Sequence, residues 1–570
     1  MNTPNRTTLA GLLALVILTF AAYGPALSGG FIWDDDAYVS ENEILDAEDA
    51  LSLIWTPRET PQYYPAVFTS FWIENALWGR GPDDTLGYHL VNVFLHILSA
   101  LLVWRILHEL GIKSAWFVAA IFALHPVHVE SVAWITERKN VLSGVFYLSA
   151  LWSYLRFAGL TGKADITPDP TPVMSKKEQK RAARQAAVVP PSEPGPPWSL
   201  YLLALVLLAG ALLSKSVTAS LPAAILLILY WKRGCLELAD LVRLVPFFAI
   251  GILAGAHTAK IERDHVFRFE ADLGVHGTEH ILVAGRAIWF YAGKLLAPLN
   301  LTFMYPRWDL DTASFVQWLY PLTALATLAA AWFFRHRIGR GPVVALLFFG
   351  GTLIPALGFV DVFPMYYSYV ADHFQYLASL GFITLIVGSG ATLLLRLASK
   401  RVALAVGAVS VLALAVTTWN QCHDYRDLRT LWHATLERNP GALMVAINLS
   451  NQVLREDNDP AEANRILEVA LNQVPAGTHP RIHARAHYNH GNNIGISGDF
   501  DTAIENYRRA LELDPDYFDA YKGLGWAYQS LQQNDKAIEH YELYSASFKR
   551  LRNLRDSSID DRIQKLKKRR

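Results

Sequence analysis

Apolar blocks long enough to cross a bilayer recur through most of this chain, and that recurrence decides what it can fold into. A transmembrane helix needs roughly 20 mostly apolar residues. Such blocks fall at about 9–27, 88–108, 115–135, 140–158, 198–214, 216–231, 244–259, 281–298, 315–334, 342–360, 375–396 and 402–420. With 52% apolar and 18% charged residues, the chain reads as a polytopic membrane protein. The last part changes to mixed charge and helical periodicity, so a soluble domain is expected to follow. The expected fold class is all-α, with a many-helix membrane domain and a soluble helical-repeat domain. The formal net charge of +0 gives no electrostatic footprint for nucleic acid.

Basic residues orient the spans, because Lys and Arg in short loops stay cytoplasmic. The clusters are Lys176 and Lys177 through Arg184, Lys232-Arg233, Arg335 to Arg337 with Arg340, and Arg396 with Lys400-Arg401. All four share one side only if the 281–298 block does not cross; it carries Arg286 and Lys294, which suit an interfacial or re-entrant helix. About eleven crossings then remain, with the N-terminus inside and the soluble tail outside. The first block is read as an uncleaved span and not a signal peptide. The segment at about 160–197, rich in Pro, Lys and Ala, reads as a disordered cytoplasmic linker. Cys235 and Cys422 fall on opposite sides, so no disulfide framework is implied.

The tail repeats. Gly491, Ala503, Tyr507, Ala510 and Pro515 fit one tetratricopeptide unit; Gly525, Tyr528, Ala537 and Tyr541 fit the next, shifted by 34 residues. A degenerate copy holds Ala463, Ala470 and Pro475, and Leu431 to Pro440 reads as an orphan second helix. Such pairs build a solenoid with a concave face for a partner protein. The closing residues 552–570, with Lys565, Lys567, Lys568, Arg569 and Arg570, read as a solvated basic tail.

The functional signal is charge held at membrane depth on the outer side. Asp34, Asp35 and Asp36 follow Gly29-Gly30-Phe31-Ile32-Trp33, an apolar anchor that holds them at the interface. His125-Pro126-Val127-His128-Val129-Glu130 ends the third block, Glu137-Arg138-Lys139-Asn140 follows, and Lys215 sits in a very short outer turn. Ionisable groups there are costly unless they pair or serve a ligand. Acids and bases together fit a pocket for an anionic lipid head group worked on by a carboxylate: the acid takes a proton from a hydroxyl, and cations stabilise a departing phosphate.

An acidic pair after the first span, His-Pro-Val-His-x-Glu running into an Arg-containing turn, Lys215 in a later outer turn and terminal tetratricopeptide repeats together resemble the transmembrane-and-tetratricopeptide (TMTC) O-mannosyltransferases, enzymes of the GT-C superfamily. The resemblance covers nearly the whole chain. It implies a membrane catalytic domain over 1–420 with an outer loop at 28–87, repeats over 421–551, and transfer of mannose or another hexose from polyprenyl phosphate to a protein hydroxyl on the outer face. By likeness, Asp34 and Asp35 are the catalytic pair, the first as base; Arg138, Lys215, Arg286 and His373 meet the donor phosphate; His125, His128, Glu130, Lys139 and Tyr376 line the substrate pocket. Two departures stand out: Ser216 follows Lys215 where the family usually has Glu, and Ala371-Asp372-His373-Phe374-Gln375-Tyr376 replaces a Glu-Arg-Tyr-x-Tyr pattern, with His373 a weaker phosphate partner than Arg.

No cofactor is required by this reading; a divalent cation, if one binds, belongs on Asp34 and Asp35. His125 and His128 lack a firm third ligand for zinc. The Asp-x-Asp spacing of Asp34 to Asp36 is familiar from soluble nucleotide-sugar enzymes, whose donors are not expected outside. Expected partners are a polyprenyl-phosphate sugar, a protein acceptor and membrane lipid. The expected site is a bacterial inner membrane with periplasmic repeats, or the endoplasmic reticulum with lumenal ones in a eukaryote. Alternatives are a ligase or polymerase of lipid-linked O-antigen and a non-catalytic membrane-anchored scaffold.

Overall fold

The computed structural model describes residues 6–57, 59–160, 197–265, 274–359, 363–552 and 554–568. Most of the expected linker, the cluster from Lys176 to Arg184, and Arg569 and Arg570 lie outside them. The described residues are all-helical, with no strand among them. Five helices are long and apolar enough to cross a membrane: Thr85–Glu109, Leu238–Thr258, Phe315–Phe333, Ser379–Leu397 and Lys400–His423. A bent pair, Ala115–Leu124 with Pro126–Ala133, would make a sixth, and Arg6–Ala22, Trp198–Leu212 and Gly341–Ala356 are shorter apolar helices. The eleven crossings expected therefore require short and broken helices to cross as well.

The breaks have identifiable causes. Pro126 has no N–H to give the helix ladder, His125 turns extended (ψ 124°), and the axis bends by 53°. The block expected at 216–231 is shortened because a 3₁₀ turn over Ser216–Ser220 precedes the helix Leu221–Arg233.

The chain divides into two compact units. The first comprises Met1–Arg268, Leu325–Leu353 and Gln375–His423. Within it Arg6–Ala22 packs on Thr85–Glu109, Ala115–Leu124 and Lys400–His423, close enough that the Trp116 indole donates to the Gly11 carbonyl at 2.8 Å. Arg138–Phe157 lies along Trp198–Leu212 and Thr85–Glu109. The loop after the first helix is folded: Ala50–Trp55 and Pro65–Trp78 bury Tyr38, Phe68 and Phe71 with Tyr88 in an aromatic core. Arg80 ties this loop together by donating to Asp46 and to the Ser40 carbonyl at 2.8 Å.

The second unit comprises Phe269–Ala324, Ile354–Phe374 and Asp424–Arg570. Leu428–Arg438 leads into three successive helix pairs: Leu443–Glu456 with Pro460–Leu471, Pro480–Ile496 with Phe500–Leu513, and Asp519–Ser530 with Asn534–Arg552. Asp427, Asp459 and Asp499 each cap a helix, accepting from the N–H three residues on at 2.8, 3.0 and 3.1 Å. Small residues let the pairs close. A methyl on Gly491 would lie 2.8 Å from the Tyr507 ring, and one on Gly523 would lie 2.6 Å from the same ring. The segment expected as a basic tail instead carries the helix Ser557–Lys568, because Ile559, Ile563 and Leu566, spaced for one helix face, are buried against the last pair.

Tyr507→Ala should remove the ring that both glycines make room for and destabilise the repeats by about 3–5 kcal/mol, the usual cost of deleting a buried aromatic. Limited proteolysis of the full chain would report it as a cleavage rate inside 480–552 that rises well above wild type.

Candidate functional site

The site in the first unit is built on the turn that starts the helix Arg138–Phe157. Trp33 takes a left-handed conformation (φ +48°), costly for a bulky side chain, and folds the chain so that the Ile32 N–H reaches the Asp35 carboxylate at 2.9 Å. The other Asp35 oxygen accepts from the Thr136 N–H at 2.7 Å and the Thr136 hydroxyl at 2.6 Å. Asp35 is fully buried and pins the acidic loop to residue 136. Asp34 beside it is half-buried and Asp36 is exposed. Burial pushes the Asp35 carboxyl up to about 7, against the lowering effect of its three hydrogen bonds and with a further small rise from the Asp34 charge.

One residue on, Glu137 is held between two ammonium groups, Lys139 at 2.9 Å and Lys215 at 3.3 Å. Lys215 also donates to the Asn140 side-chain oxygen at 2.7 Å, and the Asn140 amide donates to Glu137 and Ser131. The Lys139 ammonium lies 5.6 Å from the Tyr38 ring and 5.7 Å from the Trp134 ring. Asp35, Glu137, Lys139 and Lys215 thus converge, with Asp34 next to them in the chain. The Asp34 charge also acts on Lys139 and the Glu130 charge on Lys215, so acids and ammonium groups are gathered around Glu137.

Arg138 faces elsewhere. It is fully buried, and its guanidinium pairs with Glu74, donates to Asn92, reaches Ser70 at 3.2 Å and meets the Tyr88 carbonyl at 2.9 Å. These contacts use all five N–H groups. They bind the loop helix Pro65–Trp78 to Thr85–Glu109. His125 and His128 are buried with ring centroids 6.2 Å apart; His128 meets the Ser379 hydroxyl at 3.3 Å and stacks edge-on with Tyr376. Tyr376 in turn donates to His96 at 2.8 Å. Glu130 is buried nearby in sequence. Among the described residues no group of three or more His, Cys, Asp or Glu is placed to hold a metal ion. With both Asp35 oxygens already accepting from the protein, the residues present do not fit the divalent cation considered for Asp34 and Asp35.

Arg286 and His373 belong to the second unit. The Arg286 guanidinium lies 4.5 Å from the Trp308 ring and 5.8 Å from Tyr320, and His373 is buried beside Phe374. Sequence reasoning named Glu137 only as part of the charged run before Asn140, and did not single out Glu74, Asn92 or Thr136 as site-building groups. The available signal for Glu74 was a lone acid in the otherwise apolar and aromatic stretch Phe71-Trp72-Ile73.

An apolar many-helix unit with a buried acid–lysine cluster, in a chain that also carries tetratricopeptide pairs, defines a repeat-bearing membrane protein with a charged interior site. The TPR repeat family matches residues 496–532. The homologues of this chain are the TMTC protein O-mannosyl-transferases. A protein O-mannosyl-transferase of Caenorhabditis elegans is 30% identical over 158 residues, covering 25% of this chain and 22% of the relative. Protein O-mannosyl-transferase Tmtc1 of Drosophila melanogaster is 34% identical over 163 residues, 26% of this chain and 18% of the relative. Human TMTC3 is 28% identical over 171 residues, 28% of this chain and 18% of the relative. The match therefore spans about a fifth of the length of these relatives.

Two outcomes follow from this geometry. Arg138→Ala would strand a buried Glu74 carboxylate and should cost about 3–5 kcal/mol, seen as a lowered Tm of the detergent-purified protein; Arg138→Lys, with three donors on one nitrogen, should recover only part of it. For Asp35, the folded chain holds a proton between the ordinary carboxylate range and about pH 7 that the unfolded chain has already released. Its contribution to stability is therefore largest on the acid side and falls as pH rises to about 7. Infrared difference spectra should show a carboxylic-acid C=O band that disappears on raising the pH through 7 and is missing in Asp35→Asn.

Proposed function

We propose that this chain is a membrane glycosyltransferase that moves mannose or another hexose from a polyprenyl-phosphate carrier to a hydroxyl of a protein acceptor at the outer face of the membrane, with the repeats recruiting that acceptor. The observation that carries the reading is the convergence of Asp35, Glu137, Lys139 and Lys215, from three separate segments, at the turn before Arg138–Phe157, with Asp34 adjoining Asp35. The names of the homologues support the reaction class, and the one-sided basic loops support an outward site.

In this reading Asp34 is the general base. It takes the proton from the acceptor hydroxyl; that oxygen attacks the anomeric carbon from the side opposite the carrier; the bond from carbon to phosphate oxygen breaks, its electron pair leaves with polyprenyl phosphate, and the configuration inverts. Asp35, locked by Ile32 and Thr136, fixes where Asp34 stands. Lys215 and Lys139 stabilise the charge that grows on the departing phosphate, and Glu137 orients both ammonium groups. Arg138 acts by positioning, through Glu74 and Asn92. His125, His128, Glu130 and Tyr376 are retained as the pocket wall. The catalytic domain over 1–420 with repeats over 421–551 is the accompanying domain assignment.

Asp34→Asn should lower sugar transfer from polyprenyl phosphate by roughly 10²–10⁴-fold while donor binding survives. Lys215→Ala should cost roughly ten- to a hundredfold at limiting donor, the equivalent of one charge-assisted hydrogen bond. The assay is transfer of radiolabelled sugar by purified variants at matched protein. Wild-type turnover in both Asp34→Asn and Asp35→Asn would overturn the enzyme reading and leave a membrane-anchored scaffold as the better account.

A further inference from the structure

A cavity in the first unit has no part in the chemistry above. It has a volume of about 1030 Å³, at the top of the range of roughly 300–1,000 Å³ usual for ligand pockets. Its walls come from the last turns of Thr85–Glu109, the second half of Arg138–Phe157, the end of Leu221–Arg233, and the facing sides of Gly341–Leu353 and Ser379–Leu397. The lining is overwhelmingly apolar, with Ser and Thr as its uncharged polar groups. Its charged residues are Lys113, Arg337, Arg340 and Arg396, and no acid lines it.

Three of these cations, Lys113, Arg337 and Arg396, are exposed, and none of the four has an ion pair among the described residues. Arg340 instead sits 5.8 Å from the Tyr230 ring. Space is built into the wall: a side chain begun at Gly388 would meet nothing within 4 Å. The cavity is also remote from the acid–lysine cluster. Along Arg138–Phe157, Leu151 of the wall lies twelve residues from Lys139, about 18 Å at helical rise. Asn92, which holds Arg138, and Ile106 of the wall are likewise near opposite ends of Thr85–Glu109. The cavity therefore opens at the basic end of the helices, where the positive-inside pattern puts the cytoplasmic leaflet.

An apolar chamber with a one-signed cationic mouth matches a molecule with hydrocarbon chains and a single anionic head. Basic pockets between membrane helices on the cytoplasmic side bind such head groups. We infer that this cavity holds an anionic phospholipid of the cytoplasmic leaflet, its acyl chains between Gly341–Leu353 and Ser379–Leu397 and its phosphate against Arg337, Arg340 and Arg396. A second transmembrane helix is a poorer occupant, since it would leave the cations without counter-charge. The site does not depend on the transfer reading; its test reads lipid, not sugar.

The test uses the full-length protein, purified in a neutral detergent and titrated with phosphatidylglycerol, phosphatidylcholine or polyprenyl phosphate under native mass spectrometry. Wild type should retain one phosphatidylglycerol roughly a hundredfold more tightly than phosphatidylcholine, as three nearby cations acting on one phosphate would give. The triple variant Arg337→Gln, Arg340→Gln, Arg396→Gln should bind both lipids alike. Gly388→Phe, which fills open space, should lose both while keeping the wild-type Tm. Equal retention of the two phospholipids by wild type would overturn the proposal, as would an unchanged preference in the triple variant, unchanged binding in Gly388→Phe, or displacement of phosphatidylglycerol by equimolar polyprenyl phosphate.

Discussion

The buried guanidinium of Arg138 is the contact on which the acid–lysine end of the first unit depends. A charge taken out of water is tolerable only when it is paired and every donor is used, and here Glu74 supplies the counter-charge while Asn92, Ser70 and the Tyr88 carbonyl take the remaining N–H groups. The partners come from the loop helix Pro65–Trp78 and from Thr85–Glu109, so a single side chain fixes a loop against a span. The turn before Arg138 carries Thr136 and Glu137. Whatever sets the position of Arg138 also sets the hydrogen bonds to Asp35 and the separation of the two lysines. These contacts hold the turn, and with it the Asp35 carboxylate, in one place.

Some of this was legible in the sequence because it is written in spacing. Gly491 and Gly525 mark the 34-residue repeat, and the structure shows the aromatic rings that require them, Tyr507 and Tyr541. The apolar blocks and the acidic stretch after the first of them were equally plain. The Arg138–Glu74 pair was not, since its partners are 64 positions apart and nothing local to either predicts the other. Arg138 looked like a ligand for phosphate because an arginine at membrane depth needs an anion; the chain supplies one itself. The helix Ser557–Lys568 was hidden for a different reason. Only three apolar side chains carry its buried face, and the surrounding charges dominate any average taken along the segment.

The two lysines show how buried ammonium groups can be kept without free charge in the protein. Glu137 neutralises part of Lys139 and Lys215 together, and Asn140 buttresses both the acid and Lys215. An arrangement of this kind offsets part of the desolvation cost of two buried ammonium groups. In the same unit a buried hydrogen bond joins Tyr376 to His96, tying Thr85–Glu109 to the turn that precedes Ser379–Leu397.

Two of the carbonyls freed by the break at His125 and Pro126 are taken up by side chains from other helices. The His96 ring donates from Nε2 to the Ala123 carbonyl at 3.0 Å, which leaves its Nδ1 to accept from Tyr376, and the Thr418 hydroxyl donates to the Leu124 carbonyl at 2.7 Å. His96 precedes the break in the chain, but Thr418 follows Leu124 by 294 residues. At synthesis rates of roughly 5–20 residues per second, the Leu124 carbonyl waits on the order of 15–60 s for its own donor to leave the ribosome. During that interval it must borrow a water or a lipid head group, so the kinked helix stays wet until the last membrane helix seals it. The kink is in this respect completed late, by a residue 294 positions further along the chain.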